Sequence, residues 1–418
     1  MSRAAAALLL GAALALPAAA GEGRRFEPST SSKQARELLA RLQQNVEKLV
    51  LGATNAELAR KLVAADPSWA MGVYYQSAVT PPPENQKLLG KAVELAKHAT
   101  DGERRFVEAM LIARSGRPEQ AIEPLRALAA DYPGERVVFS LLGQVLAGRG
   151  RVSEARAAYE KAIALDSSTP RAHNFVGHLY ILEGQYEKAR RSYAEALKRM
   201  PPGAAPGQVR YSVAFSYLYE DKPDKAIESL KSFLLEYRRA GQPFGIPEVF
   251  IWNSIARIQL ENGRPEDALK SYEKGYASVP RSDLDEEDQK IWKGRLHHGK
   301  GRSLARLGRF DAAWQEAATV KKMIVEAGAR GREFEPAWHY LAGYIELEQG
   351  NARAAIEHLK QSQPSEDPFR GLLLARAYDK AGDKASARRA YEAVVGFNVN
   401  NIERALSFPE ATRRLAGL

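Results

Sequence analysis

Residues 294–301, which read GRLHHGKG, come nearest of any segment to a motif with defined chemistry. They almost match the phosphate-binding loop G-x-x-x-x-G-K-[ST], in which backbone amides and the lysine hold phosphates and the hydroxyl holds magnesium. Gly301 stands where that hydroxyl is needed, and no strand pattern precedes the segment. A helix that packs a small residue at Gly301 explains the segment better, so we predict no nucleotide site here.

Other residues that bind metals or act in catalysis are also arranged unfavourably. His297 and His298 are adjacent, so on a helix they point about 100° apart and cannot share one ion. The five carboxylates of residues 283–288 lack the spacing and the glycine of a calcium loop, so we expect a solvated linker between two units there. The chain has no cysteine, and no G-x-S-x-G turn or Ser/His/Asp arrangement is recognisable. We therefore predict a protein that is not an enzyme and uses no metal or other cofactor.

Three alanines show how the chain is organised. Ala121, Ala155 and Ala189 are spaced 34 residues apart and lie in the similar phrases GRPEQAIEPL, GRVSEARAAY and GQYEKARRSY. A fixed period of this length is typical of chains that stack copies of one helix–turn–helix unit. The sequence therefore predicts a repeat protein without one large globular core.

Residues 252–280 illustrate the unit. Trp252 and Ala256 lie four apart on one face of a first helix, which Gly263 ends because glycine adopts the left-handed conformation at low cost. Ala268 and Tyr272 then lie four apart on a second helix. The small residue allows the two helices to approach closely, and the tyrosine fills the space towards the next unit.

This pattern resembles the tetratricopeptide repeat, W-x2-L-G-x2-Y…A-x3-F…P. The units fall at 102–135, 136–169, 170–203, 207–240, 249–282, 294–327, 336–367 and 368–401. Two of them depart from the pattern: Asp221 replaces the turn glycine in one, and Lys300 and Ala317 replace an aliphatic and an aromatic residue in the other. The resemblance implies an all-α fold, a right-handed α-solenoid of tandem helix pairs.

The remaining segments complete the predicted organisation. We expect a signal peptide over 1–20, a flexible segment over 21–31, degenerate repeat-like helix pairs over 32–101, the tandem repeats over 102–401, and a capping helix over 402–418 that covers the last open face. Residues 4–16 form a short Ala/Leu run after Arg3, and the small residues that follow predict cleavage between Ala20 and Gly21. An uncleaved anchor is the alternative.

Composition narrows the choice of partners. The chain has 61 Lys and Arg against 51 Asp and Glu, a formal charge of +10 at pH 7. Either this charge is spread evenly over an elongated surface, or it lines a groove for an acidic segment of a partner. Without cysteine the chain is not a lipoprotein, and its leader argues against a nucleic-acid partner because an exported chain rarely meets RNA.

The resemblance also implies where a partner binds, because first helices line the concave surface in this family. Asn, Arg and aromatic side chains there suit extended peptides: they supply backbone hydrogen bonds, carboxylate pairing and apolar area. The candidates are Arg171, Asn174, His178, Tyr211, Phe215, Tyr219, Asn253, Arg257, Tyr340, Tyr344, Phe369 and Arg376. Ordinary packing between helices is the alternative role for each. The Lys/Asn/Arg set with which some relatives clamp a terminal carboxylate is not found.

Taken together, the sequence predicts an exported, periplasmic or extracellular scaffold that presents a concave groove to a protein or peptide partner. An accessory or catalytic envelope component that acts on a polysaccharide or other polymer is the alternative. No later segment is apolar over 18 consecutive residues, so we expect no membrane span after the leader.

Overall fold

The computed structural model describes residues 23–50, 53–201, 207–241 and 247–417, and within these ranges every regular element is helical. The α-helices are α1 (Lys33–Glu47), α2 (Ala53–Ala65), α3 (Ala70–Val79), α4 (Glu84–Ala96), α5 (Asp101–Arg114), α6 (Ile122–Asp131), α7 (Arg136–Gly148), α8 (Val152–Leu165), α9 (Pro170–Leu182), α10 (Tyr186–Arg199), α11 (Gly207–Ser216), α12 (Pro223–Ala240), α13 (Glu248–Glu261), α14 (Pro265–Tyr276), α15 (Glu286–Arg306), α16 (Phe310–Glu326), α17 (Glu335–Gln349), α18 (Ala352–Gln361), α19 (Pro368–Lys380), α20 (Lys384–Val395) and α21 (Ile402–Ala416).

These helices form a chain of hairpins. From α7 to α19, each odd-numbered helix packs most extensively on the even-numbered helix that follows it, and each pair then packs on the next pair. First helices also contact first helices, as α9 does α11 and α15 does α17. The structure therefore confirms the predicted all-α solenoid.

Small residues sit at the helix crossings, as the pattern predicts. The alanine at the twentieth position of each unit has no exposed surface in any of the eight; these are Ala121, Ala155, Ala189, Ala226, Ala268, Ala313, Ala355 and Ala387. Four residues later, Tyr193 and Tyr391 are also fully buried. Close approach of two helix backbones at a small residue, filled by a bulky one beside it, is what holds each hairpin together.

The turns also behave as expected. Gly263 has φ +74°, the left-handed conformation that ends a helix. Asp221, which replaces glycine in the unit 207–240, adopts φ +58° as well. Aspartate tolerates this region better than most residues, so the departure from the repeat pattern changes the residue and keeps the turn.

The acidic segment 283–288 is partly helical. The sequence predicts a solvated linker over 283–288, but α15 begins at Glu286. The Asp285 carboxylate accepts a hydrogen bond from the Asp288 backbone N–H at 2.8 Å and so caps the helix. Carboxylates in a first turn are favoured by the helix dipole, which explains why this run continues α15 in the N-terminal direction.

Residues 23–31 pack against α5, although the sequence predicts a flexible segment over 21–31. The Phe26 ring packs edge-on against Phe106 and Tyr132, with centroids 5.9 and 5.0 Å away. The Ser29 backbone N–H and hydroxyl both donate to Glu103, at 3.2 and 2.5 Å. Buried aromatic contacts and a carboxylate on α5 therefore fix a segment whose polar composition suggested freedom.

The predicted leader over 1–20 and its cleavage site at Ala20 and Gly21 lie outside the described residues. Within the described ranges, no helix combines the length and the apolar character that a membrane crossing requires.

Candidate functional site

The repeat register places one residue of each unit at the same point on its first helix. The ninth positions of the last six units are His178, Phe215, Arg257, Arg302, Tyr344 and Arg376. The second and fifth positions of the units share this side of the first helices, and we call all three positions the inner face. Most of the sequence-predicted residues belong to it.

Near α9 the inner face is covered by the chain's own N-terminal hairpin. A guanidinium nitrogen of Arg171 lies 3.6 Å from a carboxylate oxygen of Glu47, at the end of α1. Asn174 is buried, with 2% of its surface exposed. His178 Nε2 lies 3.2 Å from the Ser212 hydroxyl, and burial lowers the pKa of this imidazole to about 4. The ring is therefore neutral at pH 7.

In the next unit the inner face is aromatic. The rings of Tyr211 and Phe215 stack with centroids 5.6 Å apart, and Tyr219 meets Phe408 of α21 edge-on at 5.9 Å. The Arg404 guanidinium of α21 lies 5.3 Å from the centre of the Tyr219 ring. This part of the predicted groove is filled by α21.

Arginines dominate the inner face from α13 onwards. Arg257 donates a hydrogen bond to Glu403 of α21, and its guanidinium lies 5.7 Å from the centre of the Phe369 ring. Arg302 is 4% exposed and donates to the Tyr340 hydroxyl at 2.8 Å. Burial raises the pKa of Glu403, but the charge and hydrogen bond of Arg257 outweigh it, so the pKa is lowered and the carboxylate stays ionised at neutral pH.

Tyr344 and Arg376 complete the set. Arg306 donates to the Tyr344 hydroxyl at 2.9 Å and lies 3.1 Å from the Glu261 carboxylate. Arg376 pairs with Glu410 of α21 through both Nε, at 2.8 Å, and a terminal nitrogen. This is the bidentate geometry that arginine favours with carboxylates.

The structure thus brings Tyr219, Arg257 and Arg376 to one place, against α21, and Phe369 lies beside Arg257. The resemblance implies an open groove, yet these side chains already contact the chain itself because α21 lies across them. Their role towards a partner stays a prediction.

Asn253 lies apart from this contact, beside an open crevice. The crevice is small and is lined by Val249, Asn253, Tyr272, Gly275, Tyr276, Trp292, Arg295 and Leu296. Arg295 is exposed, and its guanidinium lies 4.5 Å from the centre of the Trp292 ring. A cation that is already stacked on an aromatic ring and still reaches solvent suits the recognition of a carboxylate.

Sequence reasoning missed Arg295 and Arg302. They occupy the second and ninth positions of the unit 294–327, the positions of the predicted Arg171 and Arg257 in theirs. Lys300 and Ala317 depart from the repeat pattern in this unit, so the pattern defines its first helix less clearly. Strict use of the register would have found both arginines.

The residues weighed for metal and nucleotide chemistry serve helix packing. His297 Nδ1 lies 2.5 Å from the Glu316 carboxylate, and His298 Nε2 lies 3.1 Å from the Ala337 carbonyl oxygen, so the two rings diverge. Gly301 is buried within α15. In the described part of the chain, no three His, Cys, Asp or Glu residues gather as a metal site would require.

The fold defines a helical-repeat protein built from stacked helix pairs. Family models described as "Tetratricopeptide repeat" match residues 140–206 and 371–396. These two segments are thus similar to tetratricopeptide repeats.

Individual similarities are distant. U-box domain-containing protein 70 of Oryza sativa subsp. japonica is 28% identical over 183 residues, which are 41% of this chain and 21% of that protein; the match thus spans about a fifth of the relative. A tetratricopeptide repeat protein from Parabacteroides merdae aligns over 71% of this chain and 99% of its own, with 15% identity and a TM-score of 0.46. The Cut9–Hcn1 structure aligns over 86% of this chain and 67% of its own, with 14% identity and a TM-score of 0.41.

Proposed function

We propose that this chain is a non-enzymatic scaffold that holds a protein or peptide partner on its inner face, in the cell envelope or outside the cell. The two segments that match tetratricopeptide repeat models support a role in protein interaction. Arg3 ahead of an Ala/Leu run, with small residues before Gly21, supports export.

The observation that carries the proposal is the open crevice between α13 and α15. Arg295 presents a cation there beside the aromatic face of Trp292, and Asn253 offers an amide that can hydrogen-bond a peptide backbone. Aromatic and arginine side chains are the residue types that contribute most to binding at protein interfaces. The site thus fits a peptide segment that carries a carboxylate next to an apolar group.

The test compares two charge reversals on one helix. Arg295→Glu changes the crevice, whereas Lys293→Glu makes the same charge change two residues away, at an exposed position on another side of α15. Each purified chain is used to isolate partners from envelope extracts of the producing organism. We expect one protein to be retained by the wild type and by Lys293→Glu and to be lost from Arg295→Glu.

Two results would contradict the proposal. A glycan recovered in place of a protein would favour an envelope component that acts on a polymer. Equal retention by both charge-reversed variants would mean that the crevice is not the binding site. Export is checked separately, by the mass of the mature chain: we expect it to begin at Gly21.

A further inference from the structure

Helix α21 is not half of a hairpin, because α19 and α20 already complete the last unit. It packs on both of them, and it also contacts α11, α13 and residues 218–220, which come far earlier in the sequence. Every residue from 402 to 411 is at least partly buried. A single helix covered on both sides in this way lies across the inner face like a bound ligand.

Two glutamates of α21 pair with arginines of the first helices. Glu403 pairs with Arg257 of α13, and Glu410 pairs with Arg376 of α19. Both arginines hold the ninth position of their units, and the two glutamates are seven residues apart, which places them on one face of α21 about 10 Å apart along its axis. The inner face therefore binds a defined spacing of carboxylates on a helix.

The same helix also contributes apolar contacts. Ile402 and Ala405 belong to the buried cluster that contains Phe215 and Tyr219. Phe408 extends this contact, since its ring meets Tyr219 edge-on. The ligand that this surface accepts is thus an amphipathic helix, with carboxylates on one part of its circumference and apolar groups beside them.

The contact is incompletely satisfied. The buried Nε of Arg257 and Oδ1 of Asn400 have no hydrogen-bond partner among the described residues, and buried polar atoms left in this way weaken an interface. Pro409 lies inside α21, where it removes a backbone hydrogen bond. Each hairpin of a solenoid is stabilised mainly by its neighbours, so displacement of α21 would leave the contacts between the hairpins in place.

We propose that α21 is an internal ligand of the inner face, and that a partner binds there through an amphipathic helix with two carboxylates seven residues apart, after displacing α21. The inference rests on the proposed scaffold function and names the class of partner. It assigns Arg257 and Arg376 as the residues that select this partner, and Glu403 and Glu410 as the groups that keep them occupied beforehand.

The probe for the test is a fluorescein-labelled synthetic peptide of residues 397–417. Its binding is measured by anisotropy against the wild-type chain and against the full-length double variant Glu403→Gln, Glu410→Gln, in which α21 is weakened by isosteric changes. We expect the peptide to bind the double variant at least tenfold more tightly than the wild type. A peptide that carries the same two glutamines is the matched control, and we expect at least tenfold weaker binding.

A locked form, in which a cross-link holds α21 in place, provides the opposite perturbation. Asp221 and Arg413 are both exposed and their charged groups lie 3.8 Å apart, which links the turn after residues 218–220 to α21. Since the chain has no cysteine, Asp221→Cys with Arg413→Cys can be joined selectively by a short bis-maleimide. We expect the joined form not to bind the peptide, and each single-cysteine variant treated with the same reagent to behave as the wild type.

The outcomes separate the two proposals. Equal affinity of the peptide for the weakened, wild-type and locked forms, or no binding to any of them, would overturn the internal-ligand inference. If the double variant fails to fold by circular dichroism, Glu403→Gln alone replaces it in the same comparison. If the locked and wild-type chains capture an envelope protein equally, the scaffold function is supported and displacement of α21 is refuted. If the peptide behaves as expected but no protein is captured, displacement of α21 is supported and the scaffold function is refuted.

Discussion

Gly177 provides a sharp test of how the hairpins are held together. A Cβ atom at this position would lie 2.4 Å from Cε1 and 2.6 Å from Cδ1 of Tyr193, closer than packed atoms tolerate. Tyr193 has no exposed surface, and its hydroxyl accepts a hydrogen bond from Asn400 at 3.0 Å. The ring has nowhere to move, so Gly177→Ala must push α9 and α10 apart.

The expected change in the free energy of unfolding is the sum of two opposing contributions. Overpacking a rigid site costs about 3 kcal/mol, the upper part of the usual range. Alanine in place of glycine within a helix returns about 1 kcal/mol. We therefore expect Gly177→Ala to destabilise the hairpin α9–α10 by about 2 kcal/mol.

Native-state hydrogen exchange measures this change where it occurs. About 2 kcal/mol corresponds to a rise of about 30-fold in the equilibrium constant for local opening, visible in the most protected amides of α9 and α10. Because units of a solenoid sense mainly their neighbours, amides of α17 and α18 should change little. The segment around Asn400 should exchange faster, since it hydrogen-bonds to Tyr193.

Gly90→Ala is the matched control. Gly90 lies within α4, and a Cβ there meets no atom within 4 Å, so only the gain of about 1 kcal/mol in helix propensity applies. If Gly177→Ala raises stability as Gly90→Ala does, then Tyr193 yields easily and close packing at the helix crossing is not what sets the repeat geometry.

Three further predictions concern other contacts. The pKa of His178 in the fold, about 4, lies below its unfolded value of about 6.5, so its contribution to the free energy of unfolding is present above pH 6.5 and is lost as the pH falls towards 4, by about 3 kcal/mol at most. Urea unfolding at pH 7 and 4.5 should therefore show a smaller drop in the free energy of unfolding for His178→Gln than for the wild type. Gly102→Ala places a Cβ 2.4 Å from the Phe26 ring. Residues 23–31 should detach from α5, and trypsin should cut this segment about tenfold faster while far-UV circular dichroism is unchanged. Arg257→Ala leaves the mostly buried Glu403 without its partner and should weaken the docking of α21 by about 2–3 kcal/mol, measured by hydrogen exchange of the α21 amides. Adding Glu403→Gln to the same chain should restore part of that loss. If it restores nothing, the pairing of Arg257 with Glu403 is refuted.

Several features of the site were predictable from the sequence because they depend on the repeat register. The register placed His178, Arg257 and Arg376 at one position of their first helices, and the structure finds them there. The same register contained Arg295 and Arg302, which were overlooked because their unit departs from the pattern elsewhere. The buried alanines at the helix crossings were likewise expected, since the spacing of small and bulky residues within one hairpin is local information.

The contacts of the inner face were not predictable in this way. Arg257 and Glu403 are 146 residues apart, and no periodicity links them. Phe26 and Tyr132 are similarly distant, and the polar residues around Phe26 suggested a free segment where the structure has a packed one. Such contacts depend on where the stacked hairpins bring distant parts of the chain, which is a property of the accumulated geometry of many units.

The sequence by itself determined the helix pairs, their order and the small residues where they cross, because each hairpin is specified by side chains within about 34 residues of one another. Only the tertiary structure decided that α21 returns to the inner face and that Phe26 anchors the beginning of the described chain. The physical reason is that these contacts join surfaces which exist only after the hairpins have stacked, and their energy comes from charge pairing and burial between residues that the repeat pattern does not relate.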